Sequence, residues 1–281
     1  MINMNNTYKN SNNVVINIED VIKKYYDGWK LKDIAFNIKC STAQIEKILH
    51  RETKRDRQHN YKYKINHEYF NSIDTEEKAY ILGFLCADGS ISKKGKSCLT
   101  ISLQYGDYDI LEKIKKAVQS ESPIKSYTYN GRKYCNIAFY SERICDKLKE
   151  NGCVCNKSSH LDWNNIKISS TLLSHFIRGY FDGDGCLSFW KHKGKYLKCH
   201  WNITSTTKFS MGLRNFILNK FGYSCYVSQR HIKGNNTKTI ELSGNKQIST
   251  ILKWMYNDAT IFLNRKKEKY KRFIEIYEEK N

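Results

Sequence analysis

Two segments of the chain are apolar along almost their whole length, and each ends at an Asp-Gly pair. They are AYILGFLCADGSI, from Ala79 to Ile91, and FIRGYFDGDGCL, from Phe176 to Leu187. Such runs, too long for an average strand, predict a buried helix in each segment. Glycine directly after the last turn is typical of a helix end, so Asp88 and Asp184 are predicted at the C-termini of these helices.

The sequence after each Asp-Gly pair repeats one order of patterns. The two pairs lie 96 residues apart, since 184 − 88 = 96. Each is followed by two strand-like runs, an amphipathic helix, two further strands and a final helix. Each half therefore reads α-β-β-α-β-β-α. We expect an α+β fold of two pseudo-symmetric repeats, each with one antiparallel sheet.

The first fifty residues have a different pattern. Apolar residues at helical spacing predict three short helices between Ile18 and His50, and Ser41 with Gln44 has the capping-box spacing that would begin the third. This arrangement resembles a helix-turn-helix DNA-binding module, while a small helical bundle that only packs has the same pattern. The following residues, 51–64, are basic and lack apolar periodicity, which favours a linker that tracks phosphates.

These patterns divide the chain into four parts. We expect a helix-turn-helix-like module over residues 1–50, a basic linker over 51–73, a first repeat over 74–168 and a second repeat over 169–281. Asp74 and Glu77 have the capping-box spacing that would begin the first repeated helix.

The composition indicates nucleic acid as the partner. The formal net charge is +20, from 48 Lys and Arg against 28 Asp and Glu, and 13% of the residues are aromatic. Basic side chains interleaved with rings suit nucleic acid, and a basic protein without such a partner is the alternative. No apolar run approaches the ~20 residues of a membrane span, and the first residues lack a signal-peptide core. We therefore expect an intracellular protein that does not enter a membrane.

The ten cysteines lack regular spacing, which favours reduced thiols over a disulfide framework. Cys153, Cys155 and His160 form a weak candidate for a zinc site, because no second spaced pair of ligands accompanies them.

Asp88 and Asp184 stand where a carboxylate is electrostatically unfavourable. A helix C-terminus is the negative end of the helix dipole, so an acid there costs about 0.3–1 kcal/mol unless a cation offsets it. Gly83 and Ala87 stand one turn apart, as do two glycines of the second segment, and small residues would let the two helices approach closely. The two acids would then meet and repel unless divalent metals share them. Paired acids with bound metals on a basic protein are typical of a phosphodiester-cleaving site.

The two segments carry a family resemblance. ILGFLCADG (Ile81–Gly89) and IRGYFDGDG (Ile177–Gly185) resemble the LAGLIDADG motif, and the chain from Thr75 onward resembles a monomeric, two-motif LAGLIDADG homing endonuclease. The resemblance implies two pseudo-symmetric halves whose saddle-shaped sheets bind double-stranded DNA at a long asymmetric target. It also implies cleavage that leaves short 3′ overhangs, and a role in intron homing.

The same resemblance implies the metal ligands. Asp88 and Asp184 would bind Mg²⁺, with Mn²⁺ as a substitute, and the backbone at Gly89 and Gly185 would supply further oxygen ligands. Cys86 stands where the second motif has Asp182, a position that is not the catalytic acid.

Two further catalytic residues are implied. Gln104, at the end of the strand after the first motif, would position water, and its counterpart in the second repeat would be Ser205. Lys246 would polarise the attacking water or offset phosphate charge. The alternative for Lys246 is a solvated lysine at the start of a helix.

DNA contacts are expected along both sheets and in the linker. The candidates are polar or basic residues of strands and turns, namely Ser97, Thr100, Ser102, Lys191, Lys193, His200, Asn202 and Thr204, together with Arg55 and Arg57 of the linker.

Two other functions suit the same scaffold. One is an intron maturase, whose partner would be RNA, and the other is a transcription regulator that binds DNA without catalysis. Two retained acids favour catalysis, because a protein that only binds DNA has no use for a repulsive pair.

Overall fold

The computed structural model describes residues 7–9, 15–26, 29–53, 63–92, 97–192, 196–229 and 236–279. The chain divides into two compact units, Met1–Asn60 and Tyr61–Asn281. Three residues predicted to contact DNA, namely Arg55, Arg57 and Lys193, lie outside the described residues. Among the helices that are described, none combines the length and the hydropathy required to cross a bilayer.

The first unit contains the three predicted helices. They are α1 (Ile18–Tyr26), α2 (Leu31–Ile38) and α3 (Thr42–Thr53), preceded by a short antiparallel pair, β1 (Thr7–Lys9) and β2 (Val15–Asn17), that the pattern did not predict. The predicted capping box is present, because Ser41 N–H donates to Gln44 Oε1 at 3.0 Å and Gln44 N–H donates to Ser41 Oγ at 3.2 Å. The unit has its own apolar core of Ile16, Ile18, Val21, Ile34, Ala35, Ile45, Ile48 and Leu49.

The first repeat has the predicted order of elements. It consists of α4 (Glu76–Asp88), β3 (Gly89–Ile91), β4 (Cys98–Gln104), α5 (Tyr108–Ala117), β5 (Lys125–Tyr129), β6 (Arg132–Tyr140) and α6 (Glu142–Glu150), followed by the single-turn helix α7 (Lys157–His160). The four strands form one antiparallel sheet in the order β3-β4-β6-β5.

The predicted cap of α4 is wrong by one residue. Thr75 is the N-cap, and its hydroxyl accepts from Lys78 N at 3.3 Å. Asp74 instead accepts from the Lys78 ammonium at 2.9 Å, and Glu77 accepts from Tyr69 OH at 2.8 Å. Thr75 and Asp74 can both cap a helix N-terminus through a side-chain oxygen, and the sequence spacing alone did not distinguish them.

The second repeat follows the same order and then adds a helix. It consists of α8 (Leu173–Asp184), β7 (Gly185–His192), β8 (Tyr196–Thr206), α9 (Thr207–Phe221), β9 (Tyr226–Gln229), β10 (Thr237–Ser243) and α10 (Asn245–Tyr256). Its sheet has the equivalent order β7-β8-β10-β9. The added helix is α11 (Asn264–Glu278), which the sequence patterns did not predict. The α+β fold of two repeats is therefore confirmed.

The two Asp-Gly helices, α4 and α8, pack against each other at glycines. A Cβ placed on Gly83 would lie 2.0 Å from the Phe176 carbonyl oxygen, and a Cβ on Gly179 would lie 2.0 Å from the Tyr80 carbonyl oxygen. No side chain fits at either place, so only glycine allows the two backbones to come this close. The prediction that small residues bring the two helices together is confirmed.

Candidate active site

Asp88 and Asp184 end the two packed helices and lie beside each other. Each is the last residue of its helix, and the following glycine N–H closes the helix by donating to Leu85 O or Phe181 O. At this end of the pair, a Cβ on Gly183 would lie 2.8 Å from Asp88 Oδ2. The glycine contacts along α4 and α8 therefore determine how closely the two carboxylates approach.

Both carboxyl groups are held in surroundings that disfavour their charge. Burial raises the pKa of Asp88, and the neighbouring carboxylate of Asp107 raises it further. Although Asp184 keeps an exposed surface, partial burial of its carboxyl and the Asp88 charge raise its pKa to about 6. Partly buried acids with raised pKa values are found at functional sites more often than at helix ends that have only a structural role.

Two lysines reach the ends of these helices. The Lys157 ammonium, at the start of α7, donates to Ala87 O and lies 3.4 Å from Leu85 O, while the Lys266 ammonium, in α11, donates to Gly185 O and to Phe181 O at 3.1 Å. Burial lowers the pKa of Lys157, and it lowers the pKa of Lys266 to about 8. The cations satisfy helix-end carbonyls and partly offset the acids, as the helix dipole requires.

Lys246 does not lie with this group. It is exposed in the first turn of α10, and the preceding residue, Asn245, donates to Leu197 O at 2.8 Å. Leu197 lies six residues along β8 from Ile203, which pairs with Gly185, a separation of about 20 Å along the strand. Lys246 is thus placed away from the acids, on which Lys157 and Lys266 act instead, and its catalytic role stays a prediction.

An ion pair between Asp107 and Arg265 acts on the Asp88 carboxyl. The Arg265 guanidinium, next to Lys266 in α11, donates to both carboxylate oxygens of Asp107, at 2.7 and 3.0 Å. Asp107 follows β4 and is 8% exposed. This bidentate pair joins the first repeat to α11, and its charges act on Asp88.

The donor atoms fit a divalent cation that prefers oxygen. Two carboxylates of raised pKa are available, while no group of three or more Asp, Glu, His or Cys side chains suited to a metal occurs in the part of the chain that is described. Mg²⁺ needs only one or two carboxylates when water and substrate phosphate supply its other ligands. The Gly185 carbonyl accepts from the Lys266 ammonium, and the metal roles predicted for Gly89 and Gly185 stay predictions.

The predicted base-reading residues alternate with the core along the central strands. Thr100, Ser102 and Gln104 alternate with buried residues of β4, and His200, Asn202 and Thr204 alternate with buried residues of β8. A cavity of about 460 Å³ opens beside Asp184 and is lined in part by Lys157, Asn202 and Thr204. One face of each sheet is thus polar, and on β8 this face leads into the site.

Two of the predicted DNA contacts lie outside this alternation. Ser97 precedes the first residue of β4. Lys191 is exposed near the end of β7, on the same face of the strand as the buried Leu187. Glu241, which was not predicted, belongs to the polar face: its carboxylate lies 3.0 Å from His200 Nε2 and accepts from Ser228 Oγ at 2.8 Å.

Strand register gives Gln104 a different counterpart from the expected one. Gly89 pairs with Ile101, and Gly185 pairs with Ile203. Gln104 is three residues beyond Ile101, so its equivalent is Thr206, while Ser205 is buried and accepts from Tyr180 OH at 2.8 Å. The expectation of Ser205 is wrong, because alternation places it on the core side of the sheet.

Comparison with known proteins agrees with this geometry. Residues 75–149 match the family model described as a LAGLIDADG-like domain. The chain carries a LAGLIDADG-like domain. The match covers α4 and most of the first repeat, and the second repeat has the same element order and sheet topology.

Solved LAGLIDADG proteins have the fold of the two repeats. The meganuclease I-SmaMI, in a complex with uncleaveable DNA, is 13% identical with a TM-score of 0.53, and the likeness covers 70% of this chain and 88% of that one. The LAGLIDADG homing endonuclease I-LtrWI, bound to its target DNA, is 18% identical with a TM-score of 0.50, covering 76% and 91%. At these identities the likeness shows the fold.

A sequence relative extends the comparison to an archaeon. An uncharacterized protein of Methanocaldococcus jannaschii is 28% identical over 171 residues, which are 59% of this chain. The match spans 63% of that relative's length.

The sequence patterns missed Lys157, Lys266 and the Asp107–Arg265 pair. One signal was available for Lys266: it is buried with Tyr270 and Phe273 at positions i, i+4 and i+7 of α11, the spacing of an inward helix face. A lysine at the first of these positions interrupts the apolar stripe by which such a face is normally identified.

Proposed function

We propose that this LAGLIDADG-like protein is a site-specific endonuclease that cleaves double-stranded DNA by metal-dependent phosphodiester hydrolysis. The observation that carries the proposal is the pair of acids, Asp88 and Asp184, at the ends of two helices packed at glycines. Burial raises the pKa of both carboxyl groups, and the Asp88 charge raises the pKa of Asp184 further. Acids held in this way suit a bound cation, and the cation in turn suits a phosphate. A protein that only binds DNA has no use for such a pair.

Mg²⁺, or Mn²⁺ in its place, is the cofactor that the oxygen donors suit. A divalent ion bound there would activate water and offset charge at the phosphodiester. Asp88 and Asp184 would hold it, and their ionised form is favoured once a cation is present. Lys157 and Lys266 would face the scissile phosphates as fixed positive charges, the role first predicted for Lys246.

The polar faces of the two sheets are the proposed base-reading surface. Thr100, Ser102 and Gln104 in the first repeat, and His200, Asn202 and Thr204 in the second, offer donors and acceptors suited to base edges. The two sets differ in residue type, so the target would be asymmetric. Both solved relatives described above are complexes with DNA, which supports duplex DNA as the ligand.

Several finer features complete the proposal. The protein would act as a monomer, because one chain supplies both acids. Its cleavage would leave short 3′ overhangs. Its biological role would be intron homing. Residues 1–50 would add a helix-turn-helix contact in a neighbouring major groove, with α3 as the recognition helix.

The test is cleavage of a DNA library by the purified protein with Mg²⁺, with the ends mapped by sequencing. Wild type should give recurrent double-strand ends at one sequence. Asp88→Asn and Asp184→Asn should each lower the cleavage rate by roughly 100-fold or more while DNA affinity is largely kept, because each removes one charge from the site. Asp146→Asn, an exposed acid paired with Lys149 at 2.9 Å, is the matched control and should cut normally. Unchanged cutting by either site variant would sink the assignment.

A further inference from the structure

Asp182 is a buried carboxylate that the proposed chemistry does not use. It lies two residues before Asp184 in α8 and is fully buried. It accepts hydrogen bonds from Tyr80 OH at 2.8 Å, from Tyr256 OH, and from Leu263 N at 2.8 Å. A buried carboxylate is costly unless donors surround it, and these three come from α4, from α10 and from the residue before α11. Asp182 therefore joins four segments at one point.

The bond to Leu263 determines where α11 begins. Leu263 is the N-cap residue of α11, and its carbonyl accepts from Lys266 N at 3.0 Å and from Lys267 N at 3.1 Å. Arg178 holds the same stretch of chain, because its guanidinium donates to Ile261 O at 3.1 Å and to Met255 O at 2.7 Å. Lys266 lies in the first turn of α11, so these contacts hold the chain just before the turn that carries it.

In the first repeat, a buried cysteine occupies the position that Asp182 has in the second repeat. Cys86 lies two residues before Asp88, as Asp182 does before Asp184, and its buried thiol lies against the buried thiol of Cys153. Cys153 lies four residues before Lys157, whose ammonium donates to Ala87 O at the end of α4. In both repeats, the motif residue two before the acid binds the segment that delivers a lysine.

We propose that Cys86 and Asp182 are positioning residues, each of which places one lysine, Lys157 or Lys266, at the end of its own motif helix and thereby sets the cleavage rate of one DNA strand. The placement of the two lysines does not depend on whether the protein cleaves DNA. The effect on one strand rests on the proposed nuclease function, since each lysine lies at the end of a different helix and a duplex presents two phosphodiesters to cut.

The first measurement needs no cleavage: lysine accessibility by reductive methylation, read residue by residue by mass spectrometry. In Asp182→Asn, the amide presents an N–H to a pocket of donors, and labelling of Lys266 should rise several-fold while Lys157 stays unchanged. In Cys86→Ala, labelling of Lys157 should rise several-fold while labelling of Lys266 stays unchanged. Asp146→Asn controls for the loss of a charge elsewhere. Equal labelling changes at both lysines, or no change in either variant, would overturn the proposal.

The second measurement follows the two strands separately on the target found by library cleavage. Asp182→Asn should slow one strand by roughly 10- to 100-fold, the size of effect expected from a misplaced group, and nicked DNA should accumulate. Cys86→Ala should slow the opposite strand. The defect of Asp182→Asn should vanish in a Lys266→Met background and persist in a Lys157→Met background.

A purely structural role for Asp182 predicts a different result, in which both strands slow equally and the defect adds to that of Lys266→Met. That result would contradict the proposal. If Asp182→Asn does not fold, the Cys86→Ala variant decides the question in the same way for the other strand. If the wild type cuts no DNA, the nuclease proposal fails, and the labelling experiment still decides whether these residues place the lysines.

Discussion

Asp184 illustrates how one residue can be kept in an unfavourable state by its surroundings. Partial burial and the Asp88 charge raise its pKa to about 6, while Lys157 and Lys266 act in the opposite direction. The residual repulsion lowers the stability of the folded protein without metal. Cation binding would relieve it, so the energetic cost of the site and its affinity for metal have the same cause.

Replacing this acid should stabilise the protein in EDTA at neutral pH. The folded pKa of Asp184 lies above the usual value of 3.8, so between about pH 4 and 6 the folded state binds more protons, and wild-type stability falls as pH rises through that window. Above pH 6, Asp184→Asn should be more stable by about 1 kcal/mol after allowance for solvent screening. Thermal unfolding should show a Tm about 2–4 °C higher at pH 7.5 and no difference near pH 4.

Metal supplies the control for this prediction. Adding Mg²⁺ should raise the Tm of the wild type more than that of Asp184→Asn, because the variant has lost a ligand. A variant that is equal to or less stable than the wild type in EDTA at pH 7.5 would show that the neighbouring lysines already neutralise the pair.

At the scale of elements, the sequence predicts what depends on pattern and misses what depends on long-range contacts. The α4 and α8 helices follow from uninterrupted apolar runs, and their close approach follows from their glycines. The α11 helix was missed because one of its buried positions is Lys266 and most of its other residues are charged. The site lysines could not be placed for a related reason: each reaches its helix end from 69 to 82 residues further along the chain, since 157 − 88 = 69 and 266 − 184 = 82.

The packing of α4 on α8 should depend on single glycines. In Gly179→Ala, the new Cβ would meet Tyr80 O at 2.0 Å and Phe84 N at 2.9 Å, which are backbone atoms that cannot turn aside. We expect a loss of about 3 kcal/mol or more in the free energy of unfolding, together with lost cleavage as the acids separate. Urea unfolding followed by circular dichroism measures the loss.

Gly106→Ala is the matched control. A Cβ at Gly106 would have no atom within 4 Å, so its stability should change by less than about 1 kcal/mol. Equal stabilities for the two variants would mean that α4 and α8 separate without cost, contrary to the packing described above.

At the scale of the whole molecule, most of the net positive charge belongs to the second unit, which is the longer one. Residues 1–60 contain 11 Lys and Arg against 7 Asp and Glu, a net charge of +4, which leaves +16 of the total +20 for residues 61–281. Counterion release makes affinity for DNA depend on salt in proportion to the phosphates contacted. The two repeats should therefore account for most of the salt dependence, and the first unit for a smaller share.

Deleting residues 1–60 tests this division. The remaining unit has its own core and should stay folded, cut the same sequence and keep most of its salt slope, at about 0.9 per phosphate contacted. DNA affinity should fall and the protected footprint should shorten, because the helix-turn-helix-like contact is gone. Anisotropy titrations over a range of KCl, with footprinting, measure both quantities. An unchanged footprint would mean that the first unit does not contact DNA.

The contact between α4 and α8 has a consequence for how such a chain could arise. Gly83 meets the carbonyl of residue 176, which is three before Gly179, and Gly179 meets the carbonyl of residue 80, which is three before Gly83. This is the reciprocity of an isologous interface, in which the same patch serves on both sides. A lone repeat with one such glycine holds both halves of the contact, so two identical copies could associate as a symmetric dimer. In a fused pair of copies, the positions where the two backbones touch would have to remain glycine on both sides.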